Sequence, residues 1–429
     1  MDFIRKTAER AREASYRLQG LPATVRNAAL AAIVSEVAGR RQEIVSANRI
    51  DLANAARDRL SPVLAKRLDY GDFKVDESIE SLNALVRLDD PVGRVLARTE
   101  LDEELILEKV SCPIGVIGVV FESRPDALIQ ISTLCIKSGN AVILKGGSEA
   151  SHTNKILADI ITDAVTSVDG RFEGAVQTIS TREEFRELLR LDDLVDLIIP
   201  RGSNELVRSV KEATRIPVLG HAAGICHVYV DAEADIEMAL KICYDAKVQY
   251  PAVCNAMETL LVHKDVAAVF LPRMAERYEK AGVEMRGDIE TRQIIDANPA
   301  SDKDWSTEYN DLILSIKIVY SLEEVVDHIN RYGSHHTDAI VTGNPETAKR
   351  FMDEIDSSSV LWNCSTRFAD GYRYGLGAEV GISTNKTHAR GPVGLEGLVI
   401  YKYRLSGRGH VVSDYVGSGA KRFTHRSLL

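Results

Sequence analysis

A chain of 429 residues, 45% apolar and 27% charged, is a globular protein too long for one hydrophobic core, so two or three domains are expected. Acidic residues outnumber basic ones 63 to 53 and no long basic run occurs, which excludes an electrostatic footprint for nucleic acid. The charged N-terminus has no apolar leader core, and no run of about 18 apolar residues exists to span a membrane.

Residues 2–60 carry apolar side chains at helical spacing and read as two or three amphipathic helices. After Pro91-Val92-Gly93 comes a strand-like stretch, Glu104 to Glu108, and then IGVIGVVF over 114–121, a strand buried on both faces. Strands and helices then alternate. Ala141–Lys145 precedes a helix from about Ser148, Ala175–Thr178 a helix from Arg182, and Leu194–Ile199 leads through Pro200-Arg201-Gly202-Ser203 into another. This pattern predicts a parallel sheet in an α/β fold. It resumes after residue 250: strands at Thr259–His263, Asp338–Thr342 and Ser359–Trp362, helices at 266–280, 322–332 and 345–355. Residues 364–397 are Gly-rich without periodicity and read as one long loop, a feature that tends to carry function. Leu398–Leu405 alternates like an edge strand available for pairing between protomers.

The six cysteines lack CxxC pairs and Cys/His spacing suited to zinc, so no metal site is expected and most thiols read as reduced core residues of a cytosolic protein. Cys254, in QYPAVCNA, is different in place: it falls between a helix and a strand at the expected domain boundary, where a nucleophile would meet a cleft. Position alone leaves it a nucleophile or one more buried thiol. Lys145 ends a strand before Gly146-Gly147, and Arg201-Gly202-Ser203 repeats the arrangement one unit later. Glycines admit a phosphate to the backbone, and a helix N-terminus and a lysine attract it. An ordinary βα turn with a solvated lysine is the plain alternative. Neither GxGxxG after a strand nor a Walker loop is present. His221 and His227 flank HAAGICH, and Arg124 stands beside Pro125 at a strand-to-helix corner, where it either holds an anion or caps local carbonyls.

VVFESRPDALIQ, IKSGNAVILKGGSEA, PVLGHAAGICHVYVD, AKVQYPAVCNAMETLLVH and FADGYRYGLGAEVGISTNKTHARGPVGLEGL, in that order, resemble the aldehyde dehydrogenase superfamily and, within it, its γ-glutamyl phosphate reductase branch. The resemblance implies a nucleotide-binding domain over 1–247, with an inserted segment at 109–132 serving oligomerisation and 388–400 returning to it. It further implies a catalytic domain over 248–387 and an oligomerisation strand and tail over 401–429, in a homodimer or homotetramer. It implies NADPH-dependent reduction of L-glutamyl 5-phosphate through a thioester on Cys254, with functional coupling to glutamate 5-kinase.

By position, Lys145 falls on the ribose or 2′-phosphate lysine, Gly202 and Ser203 on the pyrophosphate turn, and Glu308 near the nicotinamide ribose glutamate. Arg124, Asn363 and Arg367 are candidates for the substrate by charge and loop position. Three features depart from aldehyde-oxidising members. Their oxyanion asparagine has no counterpart in Phe121-Glu122-Ser123-Arg124-Pro125. The turn after Lys145 is one residue longer, which disfavours a ribose contact by Glu149. In place of their glutamate base stands His221 in LGHAAG, expected to be turned away from the thioester or hydrogen-bonded elsewhere. The rival readings are a conventional aldehyde oxidiser and a non-catalytic binding protein on the same scaffold. His221 counts against the first, Cys254 and Lys145 against the second.

Overall fold

A computed structural model describes residues 2–221 and 223–429; Ala222, inside the HAAG stretch, lies outside them. The N-terminal helices form because their small and apolar residues recur every three or four positions. Asp2–Leu18 buries Ile4, Ala8, Ala11, Ala14 and Leu18 along one stripe, and its charged residues take the other face. Ala23–Gly39 and Arg41–Arg57 follow, and Asp72–Arg87 closes the set. These helices pack around a parallel sheet of four strands in the order Val176–Ile179, Ala141–Lys145, Val116–Phe121, Leu197–Arg201. Val116–Phe121 is buried at every position, as its unbroken apolar run requires of a central strand.

The second sheet has seven parallel strands in the order Asn298–Pro299, Glu284–Gly287, Ile313–Val319, Met257–His263, Cys226–Val230, Thr337–Val341, Ser359–Trp362. Helices Ile236–Val248 and Lys264–Lys280 fill one face around Leu240, Phe270 and Met274. Leu322–Tyr332 and Pro345–Glu354 cover the other around Val325, Ile329 and Phe351.

The chain therefore enters the second sheet at Cys226, well before the boundary expected at 247/248. The reason is the strand Cys226–Val230, which hydrogen-bonds to Met257–His263 and Thr337–Val341, not to the first sheet. A second correction concerns the inserted segment. Residues 116–132 are core strand and core helix; the excursion is Val95–Asp102 and Leu105–Pro113, which pair antiparallel with each other, with Val399–Ser406 and with Arg426–Ser427 in a separate sheet. Val393, Leu395 and Leu398 join the first core. The long loop is not structureless: Gly381–Ser383 and Gly391–Val393 pair antiparallel within it. Among the described residues no helix is long and apolar enough to cross a membrane.

Candidate active site

The carboxyl ends of the first sheet face the amino ends of the central strands of the second. Across this gap Asn204, at the start of helix Asn204–Ala213, donates from Nδ2 to Glu308, and Arg201 reaches Glu379 at 3.6 Å. Crevices at the carboxyl ends of parallel strands are where α/β folds bind ligands.

Cys254 sits in the turn that feeds strand Met257–His263, partly exposed. Its placement is set from beneath. The buried Cys226 thiol donates to the Cys254 carbonyl at 3.1 Å, and Gly224 lies so close that a Cβ there would stand 2.3 Å from that same oxygen. Asn255, next in sequence, donates from Nδ2 to the Ala369 carbonyl at 2.9 Å and ties the turn to the long loop. The backbone N–H of Cys254 has no acceptor among the described residues.

Around the thiol stand His221, His336 and Arg367. His221, Cys254 and His336 each offer a donor atom within 4.8 Å of the others, the one such group of three among the described residues near enough to share a metal ion. Sequence spacing could not show it, because 221, 254 and 336 converge only through the sheet order. His221 Nδ1 lies 3.0 Å from the Ile382 carbonyl, and its ring meets that of His336 edge-on at 5.0 Å. Of the two arrangements expected for His221, turned away or hydrogen-bonded elsewhere, the structure has the second: one nitrogen is held by Ile382, and the ring stays beside the thiol. Burial pushes the imidazole below its usual range; Glu308 and Glu379 oppose that and Arg201 adds to it.

Arg367, in the turn Thr366–Phe368, is buried and donates from Nε to Gln249 Oε1 at 3.0 Å. Burial and Arg373 lower its pKa, and Cys254 is the first of the groups that raise it, which places the guanidinium within electrostatic reach of the thiol. Arg124, at the N-terminus of helix Pro125–Lys137, has no ion pair among the described residues. Burial and the neighbouring Arg201 push it below the usual arginine range. Arg201 has Glu379 as its carboxylate partner, whereas Arg124 has none and is opposed only at a distance by Asp126. Asn363 is different. Its Oδ1 accepts the Thr342 N–H and its Nδ2 donates to the Thr342 carbonyl, both at 3.0 Å, so its amide holds a strand end and is not free to grip a substrate.

For a dinucleotide, the fit rests on the turns after Ala141–Lys145 and Leu197–Arg201. A Cβ on Gly146 would meet Asn154 at 2.2 Å, and one on Gly202 would meet Glu122 at 2.5 Å, so at both turns the backbone packs directly against a neighbouring polar side chain. Lys145 is half-buried and without an ion pair among the described residues, lowered by burial and by Arg182 and steadied by Glu149 and Glu122. Ser203 caps helix Asn204–Ala213, its Oγ accepting the Leu206 N–H at 3.3 Å, and its own N–H is held by Glu122 at 3.0 Å. A pyrophosphate at that helix end must displace the Glu122 carboxylate. Glu149 accepts from both the N–H and the Oγ of Ser123 at 2.6 Å, so its carboxylate braces the 121–124 corner.

Sequence reasoning missed the buried ion pair Lys247–Glu258 (2.7 Å), whose carboxylate also accepts the Asn310 N–H at 3.2 Å and thereby anchors the loop that carries Glu308. Burial pushes Glu258 up to about 7, against the pull of Lys247.

A model of the aldehyde dehydrogenase family matches residues 2–298. The γ-glutamyl phosphate reductase of Pelotomaculum thermopropionicum is 56% identical over 99% of this chain and 98% of its own, and that of Methanosarcina mazei 55% identical over 98% and 96%. The crystal structure of the Thermotoga maritima γ-glutamyl phosphate reductase superposes with a TM-score of 0.93 at 40% identity, covering 95% of this chain and 99% of that one. Matched over its full length at such identity and alike in fold, the chain belongs to the aldehyde dehydrogenase family and, within it, to the γ-glutamyl phosphate reductases.

Proposed function

We propose that the protein reduces L-glutamyl 5-phosphate to L-glutamate 5-semialdehyde with release of phosphate, in proline biosynthesis, using NADPH and a thioester on Cys254. The carrying observation is the convergence of Cys254, its free N–H, His221 and Arg367 at the cleft between the two sheets. An acyl phosphate is activated toward a thiolate. The Cys254 sulfur forms a bond to the acyl carbon, the carbon–oxygen bond to phosphate breaks, and the oxyanion formed on the way meets the Cys254 N–H. Arg367 stands within electrostatic reach of the Cys254 sulfur, and Arg124, buried without an ion pair among the described residues, is the cation for the substrate's anionic group.

Members of this family use nicotinamide cofactors. Lys145, Gly202, Ser203 and Glu308 would hold one across the carboxyl ends of the first sheet, and it supplies the hydride that reduces the thioester. Lys145 and Arg182 together favour NADPH: Lys145 ends the strand Ala141–Lys145, and Arg182 opens the helix after the neighbouring strand Val176–Ile179. The exposed edge strand Val399–Ser406, with Ile400, Tyr401, Tyr403 and Leu405 outward, fits pairing into a homodimer or homotetramer. The lability of an acyl phosphate favours hand-over from glutamate 5-kinase in the cytoplasm, where the six free cysteines stay reduced.

The test is NADPH consumption with enzymatically generated glutamyl phosphate, and the reverse reaction with the semialdehyde and NADP. Reverse turnover that requires added phosphate supports the reading; efficient oxidation to glutamate without phosphate would make the protein a conventional aldehyde oxidiser. Cys254→Ala should abolish turnover while cofactor binding persists. Iodoacetamide should label Cys254 first, because burial holds the Cys135, Cys226 and Cys243 thiols far up and raises Cys112 and Cys364 as well.

A further inference from the structure

The acylation half-reaction has a proton to move as well as a bond. The thiol proton must leave sulfur, and phosphate expelled from a doubly ionised acyl phosphate departs as a trianion, a poor leaving group, unless its oxygen receives a proton. One side chain can answer both needs if it presents an unprotonated nitrogen to Cys254 and stands beside the departing oxygen.

His221 has that form. A carbonyl oxygen only accepts, so the 3.0 Å contact with Ile382 assigns the hydrogen of the neutral ring to Nδ1 and leaves the lone pair on Nε2. Nε2 has no hydrogen-bond partner among the described residues. The Cys254 sulfur lies within 4.8 Å of a nitrogen of this ring, and with Nδ1 committed to Ile382, Nε2 is the one left to serve it; catalytic groups are often this loose before substrate draws them together. His336, fully buried, meets the ring edge-on at 5.0 Å and also offers a nitrogen within 4.8 Å of the Cys254 sulfur. The charged groups that reach His221 are Glu308, Glu379 and Arg201, from both sides of the cleft. Burial outweighs the two carboxylates and keeps the resting ring neutral, able to take a proton and slow to keep it.

We propose that His221 is a catalytic residue that carries the thiol proton of Cys254 to the phosphate it displaces. This rests on Cys254 being the nucleophile. The Nε2 lone pair takes the proton as sulfur bonds to the acyl carbon. The tetrahedral adduct collapses, the carbon–oxygen bond to phosphate breaks with its electron pair on oxygen, and that oxygen takes the proton from Nε2. The products are thioester, hydrogen phosphate and neutral imidazole. After hydride reaches the thioester carbon, the carbon–sulfur bond breaks with its pair on sulfur, and the thiolate is reprotonated from water. One proton from solvent is consumed for each NADPH.

His221→Asn tests this, since the asparagine Nδ2 can keep the donor to Ile382 while Nε2 is lost. With glutamyl phosphate, kcat/KM should fall about 10²–10⁴-fold at neutral pH. Acylation of Cys254 by p-nitrophenyl acetate, whose phenolate leaves without a proton, should return to the wild-type rate at alkaline pH, where solvent ionises the thiol; glutamyl phosphate should stay slow there. Unchanged turnover overturns the proposal. So does equal loss with both substrates at every pH, the mark of a merely structural histidine. If the variant does not fold, the wild-type enzyme decides: acylation by the acyl phosphate should slow in D₂O more than acylation by the nitrophenyl ester, and equal effects refute the proton transfer. Mass analysis of the acylated residue reads Cys254 separately, so a wrong nucleophile and a wrong proton carrier give different results.

Discussion

Gly224→Ala tests whether the position of Cys254 is set by the backbone that runs beneath it. An added Cβ would lie 2.3 Å from the Cys254 carbonyl oxygen and 2.6 Å from both its Cα and its Cβ, all within one residue of the chain. Ordinary contact begins near 3.5 Å, so the turn must move by about 1 Å. The Cys226 thiol that holds this carbonyl from the other side, at 3.1 Å, limits the directions open to it. Gly224 is not in the left-handed region, so the effect is steric and carries no backbone strain of its own. Overpacking of this kind costs about 1–3 kcal/mol, and the methyl group restores about 0.4–1 kcal/mol by restricting the unfolded chain, so the variant should fold. Catalysis is less forgiving, since a misplacement of about 1 Å costs on the order of 10²-fold. The expected result is kcat down by about that factor, slower alkylation of Cys254, and cofactor affinity unchanged, because Lys145 and Ser203 belong to the other sheet. A variant with wild-type kcat would refute the claim that Gly224 fixes the nucleophile. A loss that tracks the unfolded fraction alone would refute it equally.

Two further outcomes follow from side chains on either side of the cleft. Lys145→Ala should narrow the NADPH-over-NADH ratio of kcat/KM by roughly tenfold to a hundredfold, since a charge-assisted contact contributes about 1.5–3 kcal/mol. Adding Arg182→Ala should remove what preference remains, and an unchanged ratio in the single variant would move phosphate recognition elsewhere. Lys247→Met leaves the Glu258 carboxyl buried without its partner and should destabilise by about 3–5 kcal/mol at mildly alkaline pH, read from the denaturant midpoint. Because the folded pKa of Glu258 is raised, to about 7 with Lys247 present and higher without it, that loss should shrink as pH falls and the carboxyl takes a proton. A pH-independent loss would contradict the assignment.

The parallel core was legible in the sequence because buried parallel strands announce themselves. IGVIGVVF and AVILK are continuous apolar runs followed by helix starts, and both became interior strands of the first sheet. Glu284–Gly287 and Asn298–Pro299 were not legible: they are short and poor in apolar residues, and they close one side of the sheet, Asn298–Pro299 as its edge and Glu284–Gly287 next to it. The domain boundary was misjudged for a related reason. In CHVYV nothing local says which sheet it joins; that is decided by pairing with Met257–His263 and Thr337–Val341, residues far along the chain. The inserted sheet was displaced in the reading because Val95–Asp102 is exposed or half-exposed along its length and shows no buried face of its own.

The site divides along the same line. Cys254 and Lys145 lie in motifs long enough to be matched by resemblance, while Ser203 and Glu308 are placed by position alone; in the structure Cys254 has His221 beside it, and Glu308 is tied to the helix that Ser203 caps. What resemblance could not supply is the meaning of a substitution. A histidine where oxidising relatives have glutamate reads, on the sequence, as a weakened base, since an imidazole can still take a proton. In three dimensions the Ile382 carbonyl occupies Nδ1 and the ring stays next to the thiol, so the position still offers a proton acceptor. The difference lies in what the acceptor does next. A glutamate that activates water ends the reaction in a carboxylate; an imidazole that returns its proton to the leaving phosphate ends acylation with the thioester intact, awaiting hydride. On the proposal above, whether the acyl-enzyme is lost to water or kept for hydride turns on where one proton goes, and the nitrogen that carries it is left free by a hydrogen bond between residues 161 positions apart in the chain.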